Sequence, residues 1–217
     1  PPLQGPEGLT EVRSVIRILK RHGAKYNETC GLHVHHDLQR TPNPIKTLQR
    51  IVTFYYNFEA VIDTLVYQDR KANENRFCKT LHNDIFIAEA ERVWNTSHFP
   101  ADSDDLSELR YRKVNIMAYA VHSTVEFRQH QMTLDPEEVI SWIVLTSTIV
   151  ERAKTSRMKL NYGDDDKYNW NKFVKYLKLL PCQQPHYLRR QAYEYIKMIH
   201  DNDTRPAGRI TLETAAR

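Results

Sequence analysis

The chain has 217 residues, 41% of them apolar and 10% aromatic, which is enough to enclose one core and argues against an intrinsically disordered composition. A formal charge of +4, spread along the sequence with no aromatic-basic repeat, argues against a nucleic-acid binder and leaves anionic substrates open. Three widely spaced cysteines, Cys30, Cys78 and Cys182, without a CxxC, argue against a disulfide framework or a zinc ribbon and suit a reducing, cytoplasmic compartment, while no apolar run reaches the roughly 18 residues of a membrane span.

Leu9, Val12, Ile16 and Leu19 recur on one helical face and Gly23 is a natural stop, which predicts a helix over 7–22. Residues 25–37 read as extended, with Gly31 opposing a helix. A loop, "TPNPIKTLQR", leads into a long helix carrying Ile45, Leu48, Val52, Tyr55, Ile62 and Leu65, and the polar "QDRKANENR" breaks that rhythm. A helix is expected over 83–94. "KVNIMAYA" and "STVEFRQHQ" read as two strands joined by a short turn. Asp135-Pro136-Glu137-Glu138 combines an N-cap acid, proline at the first helical position and acids in the first turn, so a buried helix is expected over 139–150. The acidic "GDDD" at 163–166 reads as a solvated loop, and two further helices follow. The expected organisation is an α+β core over 1–155, a helical extension packed on it over 156–200 and a polar tail over 201–217.

The chemistry concentrates in two stretches. In "CGLHVHHD", residues 30–37, a strand period of two places His33 and His35 on one face and Leu32, Val34 and His36 on the other. Two imidazoles two apart can aim nitrogens at one divalent ion, but a pair alone does not complete a site, and a surface histidine pair is as good a reading. In "STVEFRQH", Thr124, Glu126, Arg128 and His130 share one face, with Val125 and Phe127 on the other. A cross-strand salt bridge explains an acid beside an arginine at little energetic consequence. The alternative is a metal ligand at Glu126 and a phosphate-holding fork at Arg128. Neighbouring strands would place His33, His35, Glu126 and Arg128 around one cavity.

"CGLHVHHD", "NRFCKTL", "RYRKVNIMA" and "HSTVEFRQHQMTLDPEEVISWI", in this order, resemble the amidoligase family of carboxylate-amine ligases, over roughly residues 1–152. The resemblance implies a glutamine synthetase-like and glutamate-cysteine ligase-like fold: a curved antiparallel sheet with helices on one face and Mg-ATP on the other. It implies ATP-dependent formation of an amide or isopeptide bond through an acyl phosphate, with a peptide or small-molecule carboxylate and an amine as substrates. It further implies that His33 or His35 and Glu126 hold Mg²⁺, or Mn²⁺ given the imidazoles, and that Arg128 contacts the transferring phosphate. Arg110 and Arg112, flanking Tyr111, are candidates for nucleotide phosphates. Arg76, in a family-like position, and Asn115 and His130 are candidates for substrate binding. Such ligases also form homo-oligomers or larger assemblies, and neither nucleic acid nor membrane is expected as a partner.

Family members open with a strand bearing a Glu-x-Glu pair of further metal ligands. No substitute for that pair is expected in the remaining chain, and Pro1-Pro2-Leu3 is expected to follow directly on that strand. Two alternatives therefore stand beside the ligase: a non-catalytic structural or interaction protein that keeps the fold, and a metal-dependent hydrolase using His33, His35 and Glu126 to activate water. Arg128 fits the hydrolase less well than it fits phosphate handling.

Overall fold

The computed structural model describes residues 2–99, 109–156, 170–179 and 193–198. The acidic loop at 163–166, Cys182 and the tail at 201–217 lie outside them.

Helices form where apolar spacing and end signals agree. Helix α1, Gly5–Arg21, has Pro6 in its first turn, and Gly23, at φ +75°, closes it as the Gly23 and Ala24 amides donate to the Lys20 and Leu19 carbonyls at 3.1 and 3.0 Å. Helix α2, Pro44–Asp63, is the central rod, burying Leu48, Ile51, Phe54, Tyr55, Phe58 and Ile62. A 3-10 turn, Gln68–Arg70, and an irregular stretch lead to α3, Asp84–Thr96, whose Phe86 amide donates to the Asn83 side chain at 2.9 Å. Helix α5, Pro136–Thr155, opens as its sequence requires: the Asp135 carboxylate accepts from the Glu137 and Glu138 amides at 2.9 and 3.4 Å. Helix α6, Trp170–Leu177, buries Phe173, Val174 and Leu177 against α2 and α5, and residues 193–198 are helical.

Three short strands, β1 (Val34–Asp37), β2 (Val114–Asn115) and β3 (Thr124–Phe127), form one antiparallel sheet in the order β1-β3-β2. The architecture is α+β. Between β2 and β3 the expected short turn is instead a five-residue helix, α4 (Ala118–His122), ended by Ser123 in the left-handed region at φ 55°. An apolar run with two alanines, "IMAYAV", satisfies a helical turn as readily as a strand, and periodicity does not separate the two at this length.

The pairing sets the faces. His35 and Asn115 both oppose Glu126, so His35, Glu126 and Asn115 form one row across all three strands. The other face carries Val34, His36, Val114, Val125 and Phe127, and α2 and α5 cover it. The Tyr55 and Phe127 rings lie 6.0 Å apart, and His36 Nε2 is 2.8 Å from the Thr146 hydroxyl of α5. Burial holds His36 down at about 4, so it sits neutral in the core at neutral pH.

Candidate functional site

Glu126 sits at the middle of the central strand, 5% exposed, and is bonded from every side. His33 Nδ1 lies 2.9 Å from its Oε1 and His35 Nε2 3.5 Å from the same oxygen. Asn115 Nδ2 donates to Oε2 at 2.6 Å, and Arg128 Nη1 donates to Oε1 and Oε2 at 2.9 and 3.0 Å. Burial alone would raise this carboxyl. The hydrogen bonds from His33 and Asn115 and the charge of Arg128 outweigh it and bring the group down to about 2. Glu126 is therefore a fixed anion at all physiological pH values.

The two histidines are the solvent side of the site, with side chains 37% and 41% exposed. The ionised carboxylate only accepts, so His33 donates to it from Nδ1, with Nε2 on the far side of the ring. His35 Nδ1 meets Thr124 Oγ1 at 2.9 Å. Its pKa is lowered, by burial first and then by His122, His33 and Arg128, against an opposing pull from Glu126. His122, on α4, stands edge-on to His35 with centroids 6.1 Å apart.

Arg128 donates from Nε to the Phe77 carbonyl at 3.0 Å and from Nη1 to Glu126, and its guanidinium lies 5.7 Å from the Tyr111 ring. Around it runs a rim of aromatic and basic groups. Phe77 and Tyr111 pack edge to face at 5.7 Å; exposed Arg76 lies over Phe77 at 4.5 Å and exposed Arg110 beside Tyr111 at 5.5 Å.

Thus His33, His35, Asn115, Glu126 and Arg128 come together, with Arg76 and Arg110 at the rim. Two expected members stand elsewhere. Arg112 is 2% exposed and donates to the Thr80 carbonyl at 2.9 Å and to Asn83 Oδ1 at 3.1 Å, under the Phe86 ring; it ties the 80–83 segment to β2. His130 is not on the Glu126 side. Past Phe127 the pairing resumes one residue out of register, with the Leu32 amide donating to the His130 carbonyl at 3.0 Å and Gly31 opposite Gln131, so the two-residue alternation lapses, and the ring packs on Trp142 of α5 at 4.7 Å with Nε2 3.6 Å from Glu138. Burial pushes His130 down to about 4. The one Glu-x-Glu of the sequence, Glu89-Ala90-Glu91, lies on α3, where positions two apart diverge, and supplies nothing to the sheet.

Two residues at the site are absent from the sequence reading as functional candidates. Arg70, in the segment read as a polar break, is buried and donates to the Cys30 carbonyl just ahead of β1 at 2.5 Å. His122 follows an apolar run and reaches His35 only because α4 replaces a turn. Neither has a periodic signal that would have found it.

Two imidazoles and one carboxylate are donors suited to a divalent ion, and the exposed rings give it access. As arranged, the rings bond the carboxylate itself, and among the described residues no group of three or more His, Cys, Asp and Glu stands ready around an ion. An ion would fit these donors by replacing the histidine-carboxylate contacts. Among the described residues no helix is long and apolar enough to cross a membrane.

Residues 1–150 match the model of the family described as "Putative amidoligase enzyme". No curated protein and no solved structure matches the chain.

Proposed function

The chain belongs to the amidoligase enzyme family, which is of ligase type, and from that premise we propose that it joins a carboxylate to an amine at the expense of ATP, on a glutamine synthetase-like sheet. The supporting observation is the Glu126–Arg128 pair held between His33 and His35 on the solvent side of the sheet. A phosphoryl transfer site needs fixed charge and alignment more than covalent help, and these residues supply both.

In this reading the γ-phosphoryl group passes to a substrate carboxylate oxygen and ADP leaves. The amine then attacks the acyl carbon, the C–N bond forms, the C–O bond to phosphate breaks, and the nitrogen gives up a proton to give the amide or isopeptide. Arg128 has Nε and Nη1 committed, which fixes the plane of its fork and leaves Nη2 to meet a phosphate oxygen. Asn115 holds Glu126 Oε2 in place from β2. Arg76 and Arg110 receive anionic substrate at the rim, and the flat Phe77 and Tyr111 faces limit where it lies. His33, His35 and Glu126 are the residues that would hold Mg²⁺ or Mn²⁺, which when bound neutralises charge on the phosphates. The cytoplasm, with Cys30 and Cys78 as free thiols, and assembly into homo-oligomers belong to the same proposal.

The test uses ATP, Mg²⁺ and a panel of amino-acid and peptide carboxylates, with hydroxylamine as the amine so that activated acid is captured as hydroxamate. ADP and hydroxamate are expected together, and Glu126→Ala is expected to lower both by at least about 100-fold. Unchanged turnover in Glu126→Ala would end this reading. One observation favours a non-catalytic relative instead: every Glu126 oxygen is already bonded within the chain. That reading expects a stably folded chain on which ATP produces no calorimetric signal.

A further inference from the structure

Helix α1 has one face in the core and one in water. Leu9, Val12 and Ile16 pack inward, with α5 beneath them. The Arg13 guanidinium donates to both Glu137 oxygens of α5 at 2.7 and 2.9 Å. That clamp holds the outward face at a fixed angle.

On the outward face Glu7, Glu11, Val15, Ile18 and His22 follow at steps of four, four, three and four residues. This spacing keeps side chains in one row along a helix. All five are exposed. Val15 is 48% and Ile18 51% exposed, and Leu19, at 39%, borders them. The row is graded in charge: two acids in its first half, an apolar middle, and Lys20, Arg21 and His22 at its end, with Lys25 just beyond.

This order selects the occupant. A partner of one sign is attracted at one end of the row and repelled at the other. Two copies laid parallel set Glu11 on Glu11 and Arg21 on Arg21. Two copies laid antiparallel, about a two-fold axis between positions 15 and 18, match along the row. Val15 of each meets Ile18 of the other, and Glu11 falls opposite His22 and level with Arg21. Glu7 falls towards the end that carries Lys25, and the two helix dipoles oppose each other.

We propose that the exposed row of α1 is a two-fold interface, on which a second copy of this chain docks its own α1 antiparallel, Val15 against Ile18. The interface goes beyond the ligase reading and stands without it, since α1 contributes no side chain to the Glu126 site. One helix pair is a small contact, so a reversible dimer with a Kd on the order of 10 to 100 μM is expected.

The test is sedimentation velocity of the full chain over a protein range of roughly 1 to 500 μM, which brackets that Kd. A monomer–dimer equilibrium is expected. Ile18→Asp, which sets a carboxylate against Val15 on both sides of the axis, is expected to weaken it by at least about 10-fold. Glu11→Arg is expected to weaken it by about 5-fold or more. Glu11→Arg combined with Arg21→Glu is expected to recover most of that loss, because a symmetric contact pairs the two exchanged charges with each other. All three positions are exposed, and circular dichroism checks that each variant keeps its helices. A monomer at every concentration, a dimer indifferent to either single change, or a double variant no tighter than Glu11→Arg overturns the proposal. A chain that stays monomeric but sediments with phosphatidylserine vesicles assigns the row to a membrane surface and also overturns it. ATP turnover by a chain that never dimerises removes the interface and keeps the ligase. A dimer with the expected variant pattern, from a chain that never turns over ATP, does the reverse.

Discussion

At the scale of single residues, Glu126 decides the behaviour of the site. Its carboxyl is ionised down to about pH 2 in the folded chain, against about 4.5 when unperturbed. A depressed carboxyl contributes stability that is complete above the unfolded value and is lost as pH falls from about 4.5 towards about 2. Glu126→Gln is expected to remove on the order of 2 kcal/mol at neutral pH and to flatten the pH dependence in that window, as read by urea unfolding at a series of pH values. An unchanged acid profile would mean that the His33, Asn115 and Arg128 contacts do not hold the charge. How legible this row was follows from its chemistry. His33 and His35 are two apart, as are Glu126 and Arg128, and strand alternation brings each pair to one side. His130 obeys the same arithmetic and lies on the other side, because one extra residue between the Val34–Phe127 pair and the Gly31–Gln131 bridge shifts the register and breaks the alternation. Arg70 was illegible for a different reason: what marks it is an unmet hydrogen-bonding need, which composition does not display.

At the scale of elements, end signals were more readable than interiors. Gly23, Asn83 and Asp135 each sit at the boundary their chemistry implies. Helix α5 forms one wall of the core and covers β1, so its first turn matters to the sheet. Asp135→Ala is expected to cost about 1 kcal/mol in thermal or urea unfolding, with Asp135→Asn recovering most of it, since the amide oxygen still caps. Equal stability of wild type and Asp135→Ala would show that the cap is dispensable. The β2–β3 connection was misread as a turn between longer strands. Its residues suit helix and strand alike, and what decides between them is tertiary: Tyr119 packs on Phe99 at 5.8 Å, and Ser123 terminates the turn.

At the scale of the whole molecule, a buried polar knot joins the parts. Lys113, fully buried just ahead of β2, reaches Glu59 and Asp63 of α2 at 2.7 and 2.6 Å. Asp63 also accepts from Gln129 at 2.5 Å, Glu59 accepts from the Leu81 amide at 2.8 Å, and the Tyr55 hydroxyl donates to Gln129. One cation thus links the central helix, the 70–81 segment and the strands that present Arg128. Lys113→Met is expected to destabilise by about 3–5 kcal/mol, because two carboxylates lose their counter-charge. Lys113→Met combined with Glu59→Gln and Asp63→Asn should recover part of that loss in the same denaturation assay. No recovery would locate the role of Lys113 in packing alone. None of this is visible from the sequence, where the lysine lies 54 and 50 residues from the two acids.

The row of His35, Glu126 and Asn115 has a consequence for how the sheet assembles. A slip of one residue in either ladder would turn the carboxylate towards α2 and α5 and bring Val125 or Phe127 into water. Misregistered intermediates would therefore strand an ion in oil and expose a large apolar ring at once. The polar cluster thus penalises the wrong register, and a chain that reaches the native alignment has also brought His35, Glu126 and Asn115 into one row.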